Sequence, residues 1–552
     1  MKSLLSSAKT VTLSQGFDPG QLDPMAVLRQ AQASGRDVFF YEASPEIGLT
    51  PEYAVIGLGP FKILRQRADK TELVLGDQVL ALHMPFFVAL AEVVQSLQSQ
   101  SSGAFPFQNG GLFGIIGYDS VVNLEPKLRD KAYFQYDHKF NRRNFNYGQG
   151  CGYDRSCNEG IHSELRLAQT LFVFDHRSQM VHLVDTLPGA NIPLMQNLLR
   201  LSIHNESQKA AKPSMPQATG DSHTTNKRFI DRISEGASLG PLRFFHGMEK
   251  IKNHIRNGDI FQAVLAERFE SQVRASAINI FASLRRRGQA PYNFFFSKKD
   301  HAFFGGSPES LVLVKDRRLL SHPIAGTRPR GSSPHLDKIQ ERSLRRSRKE
   351  GAEHLMLVDL ARNDLGRVAA PGSVKVNTFR SLKKFSHVMH LVSEVSAYLA
   401  EGKTAVDALA ACFPAGTLSG APKVRAMEIL ADIEPAHRGF YGGAVVAFDG
   451  QGGLSSCIAI RAAEMKGQKI VLRAGAGIVA DSKPQQEYQE ILSKIAGLCQ
   501  AIDEAIDKTL DETMDETMDE TTDEVTDEAE FLYLSEYIES QKLEKAHVSS
   551  HR

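Results

Sequence analysis

The sequence has no excess of either charge: 65 Lys and Arg stand against 64 Asp and Glu, a formal net charge of +1 over 552 residues. A chain so balanced has no overall attraction to nucleic acid or to an anionic membrane. It also lacks any run approaching the roughly 20 apolar residues that a membrane-crossing helix needs. The opening MKSLLSSAKTVTLSQG has too short an apolar stretch for a secretory signal and lacks the arginine-rich pattern of a transit peptide. Cysteine is scarce, with five residues far apart except for Cys151 and Cys157. An odd, sparse set argues against a disulfide framework and for a reducing compartment. A cytosolic protein without nucleic-acid or membrane partners is expected.

The charge balance conceals an uneven distribution. Residues 511–530 repeat DETM-like tetrads and hold eleven acids with no Lys or Arg. Residues 1–510 therefore carry 62 basic and 50 acidic side chains, a moderately basic body suited to anionic substrates. The tail 509–552 has little core-forming content and reads as a disordered or singly helical, solubilising extension.

The length predicts about two to four domains. Residues 1–202 form an N-terminal region with short apolar runs and a helical period around 87–97. Within it, 137–163 is polar and rich in Gly and Asn, as in an inserted surface loop. Its Cys151, Cys157 and His162 match no standard zinc spacing. The stretch 203–227 has almost no apolar content and reads as a linker.

From 228 to 508, strand-like runs at 310–314, 443–448, 457–460 and 469–472 alternate with helical periods at 353–367, 404–412, 423–433 and 484–506. Such alternation by itself suggests a layered, parallel α/β architecture.

Several segments could carry chemistry. Glu350 and Glu353, and again Glu487 and Glu490, are three residues apart and share one helix face. Ser482 and Gln485 would form a capping box before the second pair, with Pro484 in the first turn. Four converging carboxylates repel one another unless a hard divalent cation neutralises them, and an oxygen-only set fits Mg²⁺. Glutamates at this spacing are also the ordinary pattern of a solvated helix face.

The segments SHPIAGTRPRG (321–331) and RAGAGIVADS (473–482) are glycine-bearing turns whose amides can grip a carboxylate, though neither has phosphate-loop spacing. Arg461, in the strand-like run CIAIRAA, requires an internal acid or a bound anion. Glu309, after GGSP, stands at a strand end where a general acid could sit. His390, in SHVMHLV, lies in an apolar, helical-looking context where a core histidine is the commoner outcome.

In order along the chain, these segments closely resemble the large subunits of anthranilate synthase within the chorismate-utilising enzyme family. The resemblance is carried by GDIFQAVLAERF, GGSPESLV, HPIAGTRPRG, AEHLMLVDLARNDLGRV, FSHVMHLVSEV, FPAGTLSGAPKVRAMEI, YGGAVV, IAIRAA, RAGAGIVADS and EYQEIL, covering most of 245–500. YEAS, YAVIGLGP and GGLFGIIGYD extend it more loosely to the N-terminal region. It implies an α+β fold, a sandwich of antiparallel β-sheets flanked by helices, in place of a parallel sheet. It also implies a catalytic region at 228–508.

The reaction implied is addition of ammonia at C2 of chorismate with loss of the C4 hydroxyl, then elimination of pyruvate to leave anthranilate for tryptophan biosynthesis. By the same resemblance Mg²⁺ is held by Glu350, Glu353, Glu487 and Glu490, with Glu353 and Glu490 as direct ligands. Glu309 protonates the departing hydroxyl and His390 assists pyruvate elimination. Gly326, Thr327, Thr417, Tyr441, Arg461, Gly475, Ala476 and Gly477 bind substrate.

Gln262 stands where water-adding relatives have a lysine base, and Ala325 where relatives that aminate C4 have lysine. Both favour free ammonia at C2. No amidotransferase nucleophile is found, so a separate glutamine amidotransferase subunit is implied, in a heterotetramer. The other readings are an aminodeoxyisochorismate synthase of secondary metabolism and a non-catalytic tryptophan-binding scaffold. The family's tryptophan site maps to Glu42, Ser44, Pro291, Tyr292 and Asn293. Asn293 replaces a methionine, and an unpaired amide there is expected to weaken inhibition by L-tryptophan.

Overall fold

The computed structural model describes residues 10–508, except 19–21, 45–51, 68–69, 99–104, 130, 132–160, 187–190, 212–227, 289 and 385–387. The Cys151/Cys157 loop, most of the expected linker and the acidic tail lie outside the described residues. The helix Ile192–Ala211 runs into the start of the expected linker; its Glu, Gln, Lys and Ala residues are good helix formers.

Among the described residues two large sheets form. The first has eleven strands in the order Val11–Gly16, Met180–Asp185, Thr170–Asp175, Tyr53–Leu58, Val38–Ala43, Tyr292–Lys298, His301–Ser307, Ala462–Lys466, Lys469–Ile478, Gln262–Gln272 and Gly420–Ala421. The second has twelve. Eleven run Ile324–Pro329, Val388–Tyr398, Arg318–Ser321, Leu313–Lys315, Leu454–Ile458, Ala444–Asp449, Gly111–Ile116, Ile161–Ala168, Lys62–Arg67, Lys70–Leu75 and Gln78–Leu82, and Lys375–Lys384 pairs with Val388–Tyr398. Every pairing between these strands is antiparallel. The fold is thus α+β, and the parallel arrangement suggested by alternation alone is corrected.

The sheets face each other across an aromatic layer. Phe39 of the first sheet stacks on Phe113 of the second at 4.6 Å, with Phe294, Phe296, Phe303 and Phe440 in the same cluster. The outer face of the first sheet is covered by helices that include Pro24–Ala33, Gly240–Arg256, Ala277–Arg287 and residues 484–508. That of the second is covered by Phe86–Gln98, Arg348–Gly366 and Ala405–Cys412. With both faces covered, a central strand reads as a continuous apolar run, not as an alternation.

Local signals place the helices. Thr404 and Asp407 form a reciprocal capping box before Ala405–Cys412. Ser347 caps Arg348–Gly366 by accepting from the Glu350 amide at 3.3 Å. The box expected at Ser482 does not form in that way: Ser482 Oγ accepts instead from the Val479 amide at 3.1 Å.

One buried cation ties the layers together. Arg438, fully buried, pairs with both oxygens of Glu434 at 2.6 and 2.9 Å and donates to the carbonyls of Val264 and Leu418. Its guanidinium lies 4.4 Å from the ring centroid of Tyr118. Removing one member of such a pair leaves an uncompensated buried charge. Arg438→Met is expected to cost about 3–5 kcal/mol in chemical denaturation. The double variant with Glu434→Gln is expected to cost less than the two single losses together.

Candidate active site

The site is assembled where the ends of both sheets meet the helices Arg348–Gly366 and 484–508. Glu309 follows the strand His301–Ser307, and its Oε1 accepts from Thr417 Oγ1 at 3.1 Å. Thr417 lies in the 3-10 turn Gly416–Leu418. Burial pushes the Glu309 carboxyl up to about 7, against the lowering effects of Thr417, Lys494 and Arg461. A carboxylic acid poised there can donate a proton near neutral pH. Glu309 and Thr417 also border a cavity reaching past Leu357 and Leu360 to Asp364.

His390 is on the strand Val388–Tyr398, not a helix, which corrects the sequence reading. Its Nδ1 lies 3.1 Å from the Gly326 carbonyl and 3.1 Å from Thr327 Oγ1. Only an N–H can bond a carbonyl, so Nδ1 carries the proton and Nε2 is the basic nitrogen. Burial pulls the His390 imidazole below its ordinary value, as does Arg461.

Gly326 has φ +67°, and a Cβ there would come within 3.0 Å of Glu350 Oε2 and 2.7 Å of Leu344 Cδ1. The glycine thus lets the backbone approach the first acidic pair. Glu350 Oε1 accepts from Arg328 Nη1 at 3.1 Å.

The four acids lie within electrostatic reach of one another. Burial first, then Glu350 and Glu490, raise the Glu353 carboxyl. Burial and Glu490 raise that of Glu487, against a hydrogen bond from Ser482. Glu490 pairs with Lys494 at 2.6 Å, and the Lys494 ammonium also donates to the Gly475 carbonyl at 2.7 Å. As placed, no three His, Cys, Asp or Glu side chains among the described residues are grouped closely enough to hold a metal.

The glycine strand Lys469–Ile478 runs beside Gln262–Gln272, with Gly475 opposite Ala266, Ala476 opposite Leu265 and Gly477 opposite Val264. A Cβ on Gly475 would be 3.1 Å from Tyr441 Oη, and one on Gly477 2.6 Å from Gln262 Nε2. Gln262 is buried and its Oε1 has no hydrogen-bond partner among the described residues. Tyr441 is also buried, which pushes its hydroxyl up to about 12.

Arg461 is not in a strand. It occupies a turn at φ +51° between Leu454–Ile458 of one sheet and Ala462–Lys466 of the other. Burial lowers its guanidinium, which is influenced by Tyr441, Glu490 and Glu309. Ala325 is buried in the strand Ile324–Pro329.

Sequence reasoning missed Lys494 and Arg328, the bases that pair with Glu490 and Glu350. Lys494 was within reach as a lysine one helical turn after Glu490.

The N-terminal candidates meet elsewhere on the first sheet. Glu42 and Asn293 are cross-strand partners, Tyr292 pairs with Ala43, and the Ser44 amide donates to the Pro291 carbonyl at 2.7 Å. The Asn293 amide is not unpaired, which corrects the expectation: it donates to Glu42 Oε2 at 2.9 Å and to the Ala290 carbonyl at 3.2 Å. Arg285 donates to both Glu42 oxygens, at 2.8 and 3.1 Å, and to Asp23 at 3.1 Å.

An antiparallel sandwich with an enclosed acid, a carbonyl-bound histidine and glycine strands beside clustered carboxylates defines a class as well as a site. Residues 48–500 match the model of the chorismate binding enzyme family, and the chain belongs to that family. Within it the chain groups with anthranilate synthase component 1. It is 34% identical over 509 residues to that protein of Geobacillus stearothermophilus, covering 90% of this chain and 94% of the relative.

Among solved structures, anthranilate synthase component I from Streptococcus pneumoniae TIGR4 aligns with a TM-score of 0.62 at 29% identity, over 83% of this chain and 94% of that one. The menaquinone-specific isochorismate synthase MenF of Escherichia coli shares the fold, with a TM-score of 0.60 at 18% identity over 91% and 97% of the two chains. No helix of the described residues is long and apolar enough to cross a membrane.

The Thr417 hydroxyl stabilises the charged form of Glu309, so its loss must raise that carboxyl further. Thr417→Val is expected to move the alkaline limb of kcat/KM for chorismate to higher pH at fixed free ammonia. An unmoved limb would remove Glu309 as the acid.

Proposed function

We propose that this chain is the chorismate-converting subunit of an anthranilate synthase, a lyase that draws ammonia from a separate glutamine amidotransferase. The observation that carries this reading is Glu309, an enclosed carboxyl raised to about 7 and influenced by both Lys494 and Arg461. Hydroxide is a poor leaving group, so loss of the C4 hydroxyl needs such an acid. Ammonia forms the new bond at C2, both ring double bonds shift (C1=C2 to C1=C6, C5=C6 to C4=C5), the C4 oxygen departs as water with the Glu309 proton, and the new ammonium sheds a proton to give the amine. The intermediate, 2-amino-2-deoxyisochorismate, then loses its C2 proton and the C3 enolpyruvyl group as pyruvate. His390, whose Nδ1 donates to the Gly326 carbonyl, is proposed as the base that takes that proton at Nε2.

Tyr441, Arg461 and the amides around Gly326 and Gly475–Gly477 supply donors for the two carboxylates of chorismate. Gln262 offers an amide and no base, which suits a nucleophile that needs no deprotonation before attack. Burial and acidic neighbours that raise the Glu353 and Glu487 carboxyls, only partly offset by Lys349 and Lys494, and the all-oxygen donor set are the support for Mg²⁺ held by Glu350, Glu353, Glu487 and Glu490. Bound there, the ion would anchor a substrate carboxylate and withdraw charge.

L-Tryptophan is proposed as an inhibitor that binds at Glu42, Ser44, Pro291, Tyr292 and Asn293. Affinity there is reduced because Arg285 and Asn293 already occupy the Glu42 oxygens.

Purified protein given chorismate, Mg²⁺ and ammonium at alkaline pH is expected to release fluorescent anthranilate and equimolar pyruvate, and to use no glutamine on its own. Glu309→Gln should lower kcat by about 10²–10⁴. An amino intermediate without pyruvate, or no turnover, would overturn the assignment. His390→Ala is expected to slow pyruvate release more than chorismate loss; equal slowing of both removes its role.

A further inference from the structure

The helix Arg348–Gly366 presents two adjacent faces. Glu350 and Glu353 share one, and Gly351 and His354 share the next, about 100° further round. The acids' position therefore depends on what fixes the helix in rotation, and the second face is held in an unusual manner.

His354 is fully buried. Its Nε2 lies 2.6 Å from Ser393 Oγ, and its Nδ1 has no hydrogen-bond partner among the described residues. Ser393 belongs to the strand Val388–Tyr398, three residues beyond His390. The same Oγ accepts from the backbone N–H of Arg380 at 3.0 Å.

Arg380 sits where the register of the hairpin Lys375–Lys384/Val388–Tyr398 slips between Thr378 and Ser381, at φ +52°. A bulge that forces a non-glycine residue into the left-handed region persists only when its surroundings hold it, and such strain gathers at functional sites. Here the strain aims Arg380 at the helix. Its Nη2 would be 3.0 Å from a Cβ on Gly351, a tight approach at the tip of the arginine side chain, and Nη2 also donates to the Arg345 carbonyl at 3.3 Å. The edge of Phe379 closes on the imidazole, with ring centroids 6.0 Å apart.

We infer that His354 is a positioning residue: through Ser393 and the Arg380 bulge it locks the rotation of the helix Arg348–Gly366 that sets Glu350 beside Gly326 and keeps Glu353 on the same face. The clamp also ties the acid-bearing helix to the strand that carries His390. This rests on the reading of the four acids as a Mg²⁺ site. Partners hydrogen-bonded directly to metal ligands typically matter to metal affinity by about 10–100-fold when removed, and a clamp one step further out belongs at the low end of that range.

The test uses full-length protein, stripped of metal, with Mg²⁺ titrated by calorimetry and folding followed by thermal melting. His354→Ala and Ser393→Ala are each expected to weaken Mg²⁺ binding by about tenfold, with little further loss in the double variant. His354→Gln, which can still reach Ser393, is expected to recover most of the affinity. Should His354→Ala fail to fold, Ser393→Ala, which deletes one oxygen, decides the matter. Wild-type Mg²⁺ affinity in a variant that only melts earlier, or losses that add in the double variant, would overturn the clamp. A wild-type protein that binds no Mg²⁺ would remove the acid-cluster reading itself, and this inference with it.

Discussion

Like-charge repulsion is the constraint around which the candidate site is built. Two glutamate pairs, on the helices Arg348–Gly366 and 484–508, come from distant parts of the chain and are brought within electrostatic reach of each other. No fold gathers such groups cheaply in a partly dry environment. The surrounding structure shows what is needed to hold them. Ser347 caps the first helix beside Glu350, Gly326 omits a side chain where Glu350 needs room, and Arg328 and Lys494 each bond one acid. The scaffold that resists the repulsion is a two-sheet sandwich with helices on both outer faces.

Much of that scaffold was legible as local elements and little of it as topology. Helices announced themselves by period, as at 404–412, where Ala405–Cys412 forms. Strand direction did not, because a run such as Ala444–Asp449 is buried on both faces and carries no alternation to distinguish parallel from antiparallel neighbours. The same burial explains His390. In SHVMHLVSEV the apolar residues fall at positions compatible with a helix, yet the segment is a central strand, paired on one side with its hairpin partner Lys375–Lys384 and on the other with strands about 60 to 80 residues upstream. Only the family resemblance supplied antiparallel pairing, since sheet partners are a property of the whole chain.

The site divides along similar lines. Spacing revealed the acid pairs, and the resemblance pointed to Glu309 and Gly326. Side-chain partners were invisible wherever they depend on distant residues. Arg461 looked like a charge inside a strand, but it forms the left-handed turn by which the chain passes from one sheet to the other. Asn293 looked like a stranded amide because Glu42 lies across the sheet from it and Arg285 on a separate helix. Nothing adjacent to Asn293 in sequence announces either one. The energetic consequence reverses: the amide is satisfied, and both Glu42 oxygens are already engaged.

The distribution of bases around the acids carries the argument one step further. Glu350 has Arg328 and Glu490 has Lys494, each by direct contact. For Glu353 and Glu487 the leading influence is burial, with acidic neighbours adding to it and lysines only partly offsetting it; both carboxyls are raised. The unmet demand for positive charge is therefore local, one acid from each helix, and does not spread over the cluster. Lys494 cannot meet it alone, because its ammonium is already divided between Glu490 and the Gly475 carbonyl. A lysine that bonds an acid and the glycine strand at once also links the two halves of the pocket.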